Sequence, residues 1–186
     1  TSGVIVFGKN KETAQKMNQK FADREVQKTY LCMTRGYTPE GDVIDYALKE
    51  KLDKLADKMS NPDKPAQEAV SEYRRLGTVE LPMAVGRYDV SRYSLVEVKP
   101  KTGRKHQIRR HMKHISHPLI GDTKHGDGRH NKAFRDHFDL DRLLLMAIEL
   151  SFRHPESGEL LTIKAPVDAY VDQLFPQFGW SGAYPV

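Results

Sequence analysis

The sequence predicts an α+β fold with a mixed, mainly antiparallel central sheet and flanking helices. Three observations support this class. Short β-branched runs follow one another in hairpin order, with turn residues between them. Only a few segments carry the apolar spacing of three to four residues that is typical of a helix. The chain has 186 residues, a length that suits one domain with its own core.

The first half of the chain contains one predicted helix among several predicted strands. Residues 3–8 form an apolar run that predicts a core strand, and Asn10 is placed to cap a helix with Met17 on its apolar face. Residues 49–66 mix both charges with two prolines, so we interpret them as an exposed insertion. Further strands are predicted at residues 27–35, 43–46, 68–76, 78–84 and 88–99.

The stretch over residues 93–112 organises the second half. A β-rich run ends at Pro100, Gly103 supplies a turn, and a helix follows in which Ile108 and Met112 share one face. Such a turn at a helix N-terminus forms a place where an anion can bind backbone N–H groups. Later helices are predicted near residues 131–138 and 167–174, and strands near residues 143–152 and 160–164.

Basic residues are concentrated around this stretch. The chain has a net charge of +5, and no Asp or Glu occurs between Val98 and Gly121. A solvated helix face would usually mix both signs, whereas a surface of one sign is typical of binding to a polyanion backbone. The pattern therefore favours contact with phosphate or nucleic acid. Its seven cations are Lys99, Lys101, Arg104, Lys105, Arg109, Arg110 and Lys113.

Cysteine usage and hydropathy bear on the cellular setting. Cys32 is the only cysteine, which excludes an intrachain disulfide and favours a reducing, cytoplasmic location. No apolar run approaches the length of a membrane span, so we expect no membrane partner. Thr1 leads directly into the predicted strand at residues 3–8, and we therefore expect that the chain lacks the beginning of its domain.

Three other kinds of site are disfavoured. Six histidines lie between residues 106 and 130, but the Lys and Arg residues among them would repel a metal cation. Cys32 lies in a predicted strand and no Ser occupies a Gly-x-Ser-x-Gly turn, which argues against a hydrolase. The glycines between Gly121 and Gly128 match neither a Walker loop nor a dinucleotide fingerprint.

Two side chains permit more than one interpretation from sequence alone. Tyr30 lies in a predicted strand, where it is either a half-buried aromatic of the sheet or a ring that stacks on a base withdrawn from its helix. Arg109 either contacts a phosphate or pairs with a buried carboxylate.

Three ordered motifs resemble a known family. Residues 102–112 together with residues 117–122 resemble the most characteristic motif of the RluA-type pseudouridine synthases. Residues 1–6 are similar to the strand that follows the catalytic motif of that family, and residues 28–30 are similar to its Lys-x-Tyr strand. The likeness extends to about residue 180. It implies that residues 1–186 are a pseudouridine synthase catalytic domain that lacks its N-terminal part.

The resemblance also implies a substrate. Four segments are similar to family members that act on tRNA, namely residues 50–58, 78–82, 121–127 and 177–180. We therefore expect a monomer that binds tRNA and converts a uridine at position sixty-five, in the stem of the T arm, to pseudouridine without a metal or organic cofactor. A synthase that acts on ribosomal RNA and a non-catalytic RNA-binding module are the alternatives.

The resemblance assigns roles to individual residues. Tyr30 would stack on the target uracil and assist proton removal from C5, and Arg109 would form the salt bridge that orients the catalytic aspartate. That aspartate lies three residues before the position of Thr1, outside the chain, so we expect the 186 residues alone to be inactive. Met146 stands where the family usually has histidine. The expected contacts to RNA are Lys28, Arg104, Lys105, His106, Gln107, Ile108 and Arg110.

Overall fold

A computed structural model describes residues 1–49 and 65–184. Their strands form one mixed sheet in the order β1-β6-β2-β5-β4-β3, with β7 also paired to β6. The strands are β1 (Ser2–Gly3), β2 (Gln27–Arg35), β3 (Gly41–Asp45), β4 (Val70–Leu81), β5 (Ser91–Pro100), β6 (Leu145–Arg153) and β7 (Leu160–Lys164). The helices are α1 (Lys11–Ala22), α2 (Gln107–His114), α3 (Gly128–Phe138) and α4 (Ala169–Leu174), followed by a 3₁₀ turn (Phe175–Phe178).

The pairing confirms the predicted fold class. β1 runs parallel to β6, and every other pair of neighbouring strands in the described sheet is antiparallel. Asn10 caps α1 as predicted, because its side-chain oxygen accepts a hydrogen bond of 2.8 Å from the N–H of Thr13. Among the described residues, no helix has the length and apolar character needed to cross a membrane.

The core lies on both faces of the central strands β2 and β5. One face packs against α3, α4 and the 3₁₀ turn, and the other packs against α2. The predicted apolar face of α2 is confirmed, because Ile108 and Met112 are both buried. The first cluster includes Leu31, Leu95, Phe134 and Phe175, and the second includes Cys32, Val96, Ile108 and Met112.

The prediction of a core strand over residues 3–8 is wrong. Strand pairing ends at Gly3, and the side chains of Ile5 and Phe7 are 73% and 79% exposed. The reason is competition for one sheet edge. β1 pairs with β6 only at Met146 and Ala147, and β7 occupies the same edge from Glu149 onward. The apolar run therefore has no strand left to pair with.

Two further predictions differ in detail. The separate strands predicted at residues 68–76 and 78–84 form one strand, β4, because a register shift near Gly77 absorbs the change of pattern. Residues 50–64, which make up most of the predicted insertion, lie outside the described residues.

Candidate active site

Most of the predicted site residues meet in one cavity of about 390 Å³, which we call the Tyr30 cavity. It lies where β2 begins, where β5 ends and where the turn after Pro100 leads into α2. The antiparallel register, with Tyr30 opposite Val98, brings these ends together. Lys105 is exposed and Arg110 half-buried, and neither lines the cavity. The predicted residues that do line it are Lys28, Tyr30, Arg104, His106, Gln107, Ile108 and Arg109.

Tyr30 faces the cavity at an irregularity of the sheet. The pairing of β2 with β6 shifts its register between Thr29 and Tyr30, and such bulges re-aim side chains near functional sites. The ring is half-buried and packs against the apolar cluster that contains Ile108. Burial raises the pKa of Tyr30, so the hydroxyl keeps its proton at neutral pH.

Lys28 reaches the cavity from the same strand. Its ammonium group lies 3.5 Å from the carbonyl oxygen of Thr102, which is a long hydrogen bond. Burial lowers the pKa of Lys28. A cation that has already lost part of its hydration attracts an incoming anion more strongly than an exposed one, because the local dielectric is lower.

The side chain of Gln107 makes hydrogen bonds within the protein. Its side-chain oxygen accepts hydrogen bonds from the hydroxyl of Thr102 and the N–H of Arg104, at 2.7 and 2.9 Å. Its side-chain nitrogen donates to the carbonyl of Val70 and the hydroxyl of Ser71, both at 2.9 Å. The residue is 4% exposed. Its hydrogen-bonding groups are therefore engaged within the protein, while the residue also lines the Tyr30 cavity, and the RNA contact by Gln107 stays a prediction.

His106 precedes α2 in an uncommon backbone conformation. Its φ of 55° lies in the left-handed region, and its ring Nδ1 lies 3.1 Å from Nε2 of the buried His125. Burial lowers the pKa of His106, and the charges of Arg109 and Lys124 lower it further. The ring is therefore neutral at neutral pH and can offer a hydrogen bond but no positive charge.

Arg109 is held by a buried carboxylate. Its Nε donates to Oδ2 of Asp122 at 2.7 Å, and its Nη2 donates to Oδ1 at 2.6 Å. The side chain of Asp122 is 0% exposed, and that of Arg109 is 16% exposed. Two parallel hydrogen bonds fix the plane of the guanidinium group. This pairing leaves the Nη1 edge outside the contact with Asp122, on a side chain that lines the cavity.

The loop that carries Asp122 is itself fixed. Gly121 has a φ of +78°, and a Cβ there would lie 1.8 Å from the carbonyl oxygen of Arg142. Asn131 accepts a hydrogen bond from the N–H of Gly121 and donates to the carbonyl of Asp122, at 2.8 and 2.9 Å. The close approach and the amide bridge together determine where the carboxylate lies.

The charge of Asp122 is stabilised locally. Burial raises the pKa of this carboxyl group, but hydrogen bonds from Arg109 and from the N–H groups of His125 and Lys124 outweigh burial. The pKa of Asp122 therefore lies below its usual value. The two N–H contacts measure 2.8 Å for His125 and 2.9 Å for Lys124.

Thr1 also lines the Tyr30 cavity. The side chain of Ser2 accepts a hydrogen bond of 2.8 Å from Arg142, which also pairs with Asp168. Thr1 and Arg109 therefore line one cavity, beside a residue that is anchored to the second half of the chain.

Asp122 is the functional candidate that sequence reasoning missed. The available signal was its position as the first acidic residue after Glu97, following a long run of cations. A buried carboxylate at that point is a natural partner for one of those cations. The histidines of this region form no metal site, since no group of three His, Cys, Asp or Glu side chains is arranged for a metal within residues 1–49 and 65–184.

A family model described as RNA pseudouridylate synthase matches residues 1–114, which is more than half of the chain. The chain belongs to this family. The predicted resemblance to pseudouridine synthases is thereby confirmed. As a member of the RNA pseudouridylate synthase family, the chain carries all its predicted site residues inside the matched range, whereas Asp122 lies beyond it.

Curated relatives extend the likeness over the whole chain. The tRNA pseudouridine synthase C of Pectobacterium carotovorum subsp. carotovorum is 53% identical over 185 residues, which cover 100% of this chain and 49% of that protein. The protein of the same name from Vibrio parahaemolyticus is 52% identical over 180 residues, which cover 97% of this chain and 73% of that protein. The chain thus spans about half the length of the first relative.

Solved structures of two RNA pseudouridylate synthase proteins share the fold. Human RNA Pseudouridylate Synthase Domain Containing 1 superposes with a TM-score of 0.63 at 24% identity, over 92% of this chain and 73% of that one. Human RNA Pseudouridylate Synthase Domain Containing 4 superposes with a TM-score of 0.60 at 23% identity, over 87% and 65% respectively. At these identities the likeness shows the fold alone.

Proposed function

We propose that this chain is the catalytic part of a tRNA pseudouridine synthase that converts a uridine at position sixty-five, in the T-arm stem, to pseudouridine. The observation that carries the proposal is the convergence of Tyr30, Arg109 and Thr1 on one cavity. The names of the relatives support tRNA as the substrate. The proposal includes a monomeric protein that acts in the cytoplasm.

The proposed nucleophile is an aspartate three residues before Thr1. Thr1 and Arg109 line the same cavity, and this supports a position for that aspartate near the guanidinium group. A carboxylate beside a fixed arginine stays ionised, as a nucleophile must. In this proposal the 186 residues bind RNA weakly and do not catalyse the reaction.

The proposed reaction leaves the composition of the uridine unchanged. The aspartate attacks either the uracil ring or C1′ of the ribose, and the bond between N1 and C1′ breaks. The ring turns, a bond forms between C5 and C1′, and the aspartate leaves. C5 loses its proton and N1 gains one. A single carboxylate supplies the covalent chemistry, so the reaction requires no metal or organic cofactor.

Tyr30 contacts the target base in this proposal. Its ring stacks on the uracil, which must leave the RNA stem at a cost of a few kcal/mol. Its hydroxyl assists the removal of the C5 proton. Ile108 packs beside the same ring and extends the apolar surface for the base.

Arg109 and Asp122 act as a unit in this proposal. Asp122 holds one edge of the guanidinium group, and the remaining edge is offered to the nucleophile. A fixed cation costs no reorganisation when the carboxylate reacts. Asp122 is thus a positioning residue, whereas Arg109 touches the reacting group.

The proposal is tested by the release of tritium from C5-labelled uridine in unmodified tRNA transcripts. The chain of 186 residues is assayed beside a form that is extended upstream through the proposed aspartate. The extended form with that aspartate replaced by asparagine is the control. We expect release only from the extended form with the aspartate intact. Release by the unextended chain would refute the upstream nucleophile. Release of tritium from ribosomal RNA alone would mean that the substrate is ribosomal RNA and not tRNA. Binding of RNA without any release would favour a non-catalytic RNA-binding module.

A further inference from the structure

A larger cavity of about 970 Å³ lies away from the Tyr30 cavity. It is formed where β2 ends, where the connection between β4 and β5 turns, and where α3 begins. We call it the arginine cavity, because four arginines line it and no acidic residue does so among its lining residues, all of which the structure describes. The four are Arg35, Arg87, Arg92 and Arg129.

Two of these arginines form ion pairs with carboxylates that do not line the cavity. Arg35 donates to Asp127 at 2.7 Å, and Arg92 donates to Glu80 at 2.7 Å. Arg129 lies further from Asp127, at 3.6 Å, and its side chain is 70% exposed. Four guanidinium groups against two carboxylates leave the cavity with excess positive charge. The ion pairs also orient Arg35 and Arg92 before any ligand arrives.

Aromatic rings lie among the cations. The guanidinium of Arg87 lies 5.1 Å from the ring centre of Tyr88, which is 60% exposed. That of Arg92 lies 5.4 Å from the ring centre of Tyr37, which is 42% exposed and follows the lining residue Gly36 without lining the cavity itself. Exposed aromatic residues beside arginines are typical of surfaces that stack on unpaired bases and contact the phosphates between them. An acidic peptide would use the arginines but would leave the exposed aromatic residues without a partner.

The arginine cavity and the Tyr30 cavity lie at opposite ends of the same strands. Tyr30 and Arg35 are five residues apart on β2, which corresponds to about 17 Å along an extended strand. β5 runs antiparallel beside β2, from Arg92 at one end to Pro100 at the other. Because Tyr30 and Arg35 are an odd number of positions apart, their side chains lie on opposite faces of the sheet, so one RNA reaches both cavities only by passing around the sheet.

We propose that the arginine cavity binds an unpaired segment of the RNA substrate, through its phosphates and at least one base, at a point remote from the uridine that is modified. This inference rests on the proposed function for the identity of the RNA. The cavity contributes affinity and selection of the whole folded RNA, and it takes no part in the chemical step.

The test uses the protein extended upstream and two substitutions on exposed side chains, Arg87→Ala and Arg129→Ala. Arg135→Ala is the matched control, since Arg135 lies on the same helix as Arg129 but lines a different cavity. Each protein is titrated at several salt concentrations with a full-length tRNA transcript and with a short hairpin that contains only the T arm. Pseudouridine formation is measured separately at saturating RNA.

We expect Arg87→Ala and Arg129→Ala each to weaken binding of the full transcript about three- to tenfold and to reduce the salt slope by about one, while Arg135→Ala has little effect. Binding of the short hairpin and the rate at saturating RNA stay unchanged. Unchanged binding of the full transcript, or an equal loss with the hairpin, overturns the inference. If the parent binds tRNA but forms no pseudouridine, the proposed function fails while the binding comparison still decides this inference.

Discussion

The basic run over residues 99–113 contains two kinds of cation that the fold uses differently. Arg109 is 16% exposed and is fixed by two hydrogen bonds to the fully buried Asp122. Lys101 is 55% exposed and pairs with Glu72 at the surface, at 2.7 Å. Both appear in the sequence as members of one positive stretch. A shared charge therefore does not imply a shared function.

The difference between them is physical. An exposed ion pair is screened by salt and contributes little to stability, so a surface lysine is free to exchange its partner for a phosphate. The ion pair between a buried arginine and a carboxylate is little screened by salt, and the arginine does not exchange its partner for a phosphate. Such a pair fixes the orientation of the guanidinium group. Arg109 is therefore expected to govern catalytic rate, and the exposed cations are expected to govern affinity.

The largest expected effect comes from Arg109→Ala in the protein extended upstream. We expect the single-turnover rate to fall more than ~10³-fold, because the nucleophile loses the cation that orients it. Binding of tRNA should change by less than about threefold, since a single partly buried contact is removed. Tritium release and filter binding measure the two effects.

Arg109→Ala also leaves Asp122 without its buried partner, which costs roughly 3–5 kcal/mol of stability. Arg109→Lys is therefore needed as a second variant, because it keeps the charge and loses only the planar fork. We expect this variant to remain folded in thermal unfolding and still to lose about 10²-fold in rate. Full activity of Arg109→Lys would show that orientation by Asp122 is unimportant.

The next effect concerns Asp122→Asn, which keeps an acceptor for the N–H groups of Lys124 and His125. We expect kcat to fall about 10- to 10²-fold with an unchanged Kd for tRNA, because Arg109 is less well fixed. Asn131→Ala is the control, since it loosens the same loop without touching Arg109. That control should lower the melting temperature and reduce kcat less than Asp122→Asn does, because the close approach of Gly121 to Arg142 still holds the loop. An equal loss of kcat in both variants would contradict a specific role for Asp122.

Asp122 also makes stability depend on pH. Its pKa in the folded state is lowered, so its contribution is present above the ordinary carboxyl pKa and is lost as the pH falls through the lowered value. Asp122→Asn should therefore lose less stability than the parent protein between neutral pH and about pH 3. Urea unfolding at a series of pH values measures this, and parallel curves for the two proteins would argue against it.

Local patterns predict much of this fold because they are set by neighbouring residues. The bounds of β2 and β7 follow directly from their β-rich runs, and the apolar face of α2 follows from the spacing of Ile108 and Met112. The loss of the strand at residues 3–8 could not be foreseen. It depends on which segment occupies the free edge of β6, a contact between residues far apart in the chain.

The location of the site could be predicted from the sequence, but the contacts made by its individual residues could not. Seven of the nine predicted residues line the Tyr30 cavity, since two motifs place them along one strand, one turn and the start of α2. The pairing of Arg109 with Asp122 and the internal hydrogen bonds of Gln107 are tertiary contacts. Sequence shows that a polar group is present, but only the fold shows whether its partner is the ligand or the protein.

A smaller effect distinguishes these two cases for Gln107. Gln107→Leu removes hydrogen bonds to Ser71, Thr102 and two backbone groups, so we expect a loss of roughly 2–3 kcal/mol in the free energy of unfolding. The affinity for tRNA should stay the same if these hydrogen bonds are the whole role of Gln107. Urea unfolding and tRNA titrations measure the two quantities. A weaker affinity at unchanged stability would support the predicted RNA contact instead.

The smallest expected effect concerns two exposed lysines of the basic run, which lie at different distances from the Tyr30 cavity. Lys105 lies in the turn beside the Tyr30 cavity, and Lys113 lies near the far end of α2, and both are exposed. We expect Lys105→Ala to weaken tRNA binding about two- to threefold and to reduce the salt slope by about one, with kcat unchanged. Lys113→Ala should have less effect, because Lys113 lies farther along α2 from the Tyr30 cavity. Equal effects would mean that the whole basic run acts as one diffuse surface, and the difference between buried and exposed cations would then be the only distinction that the fold makes within it.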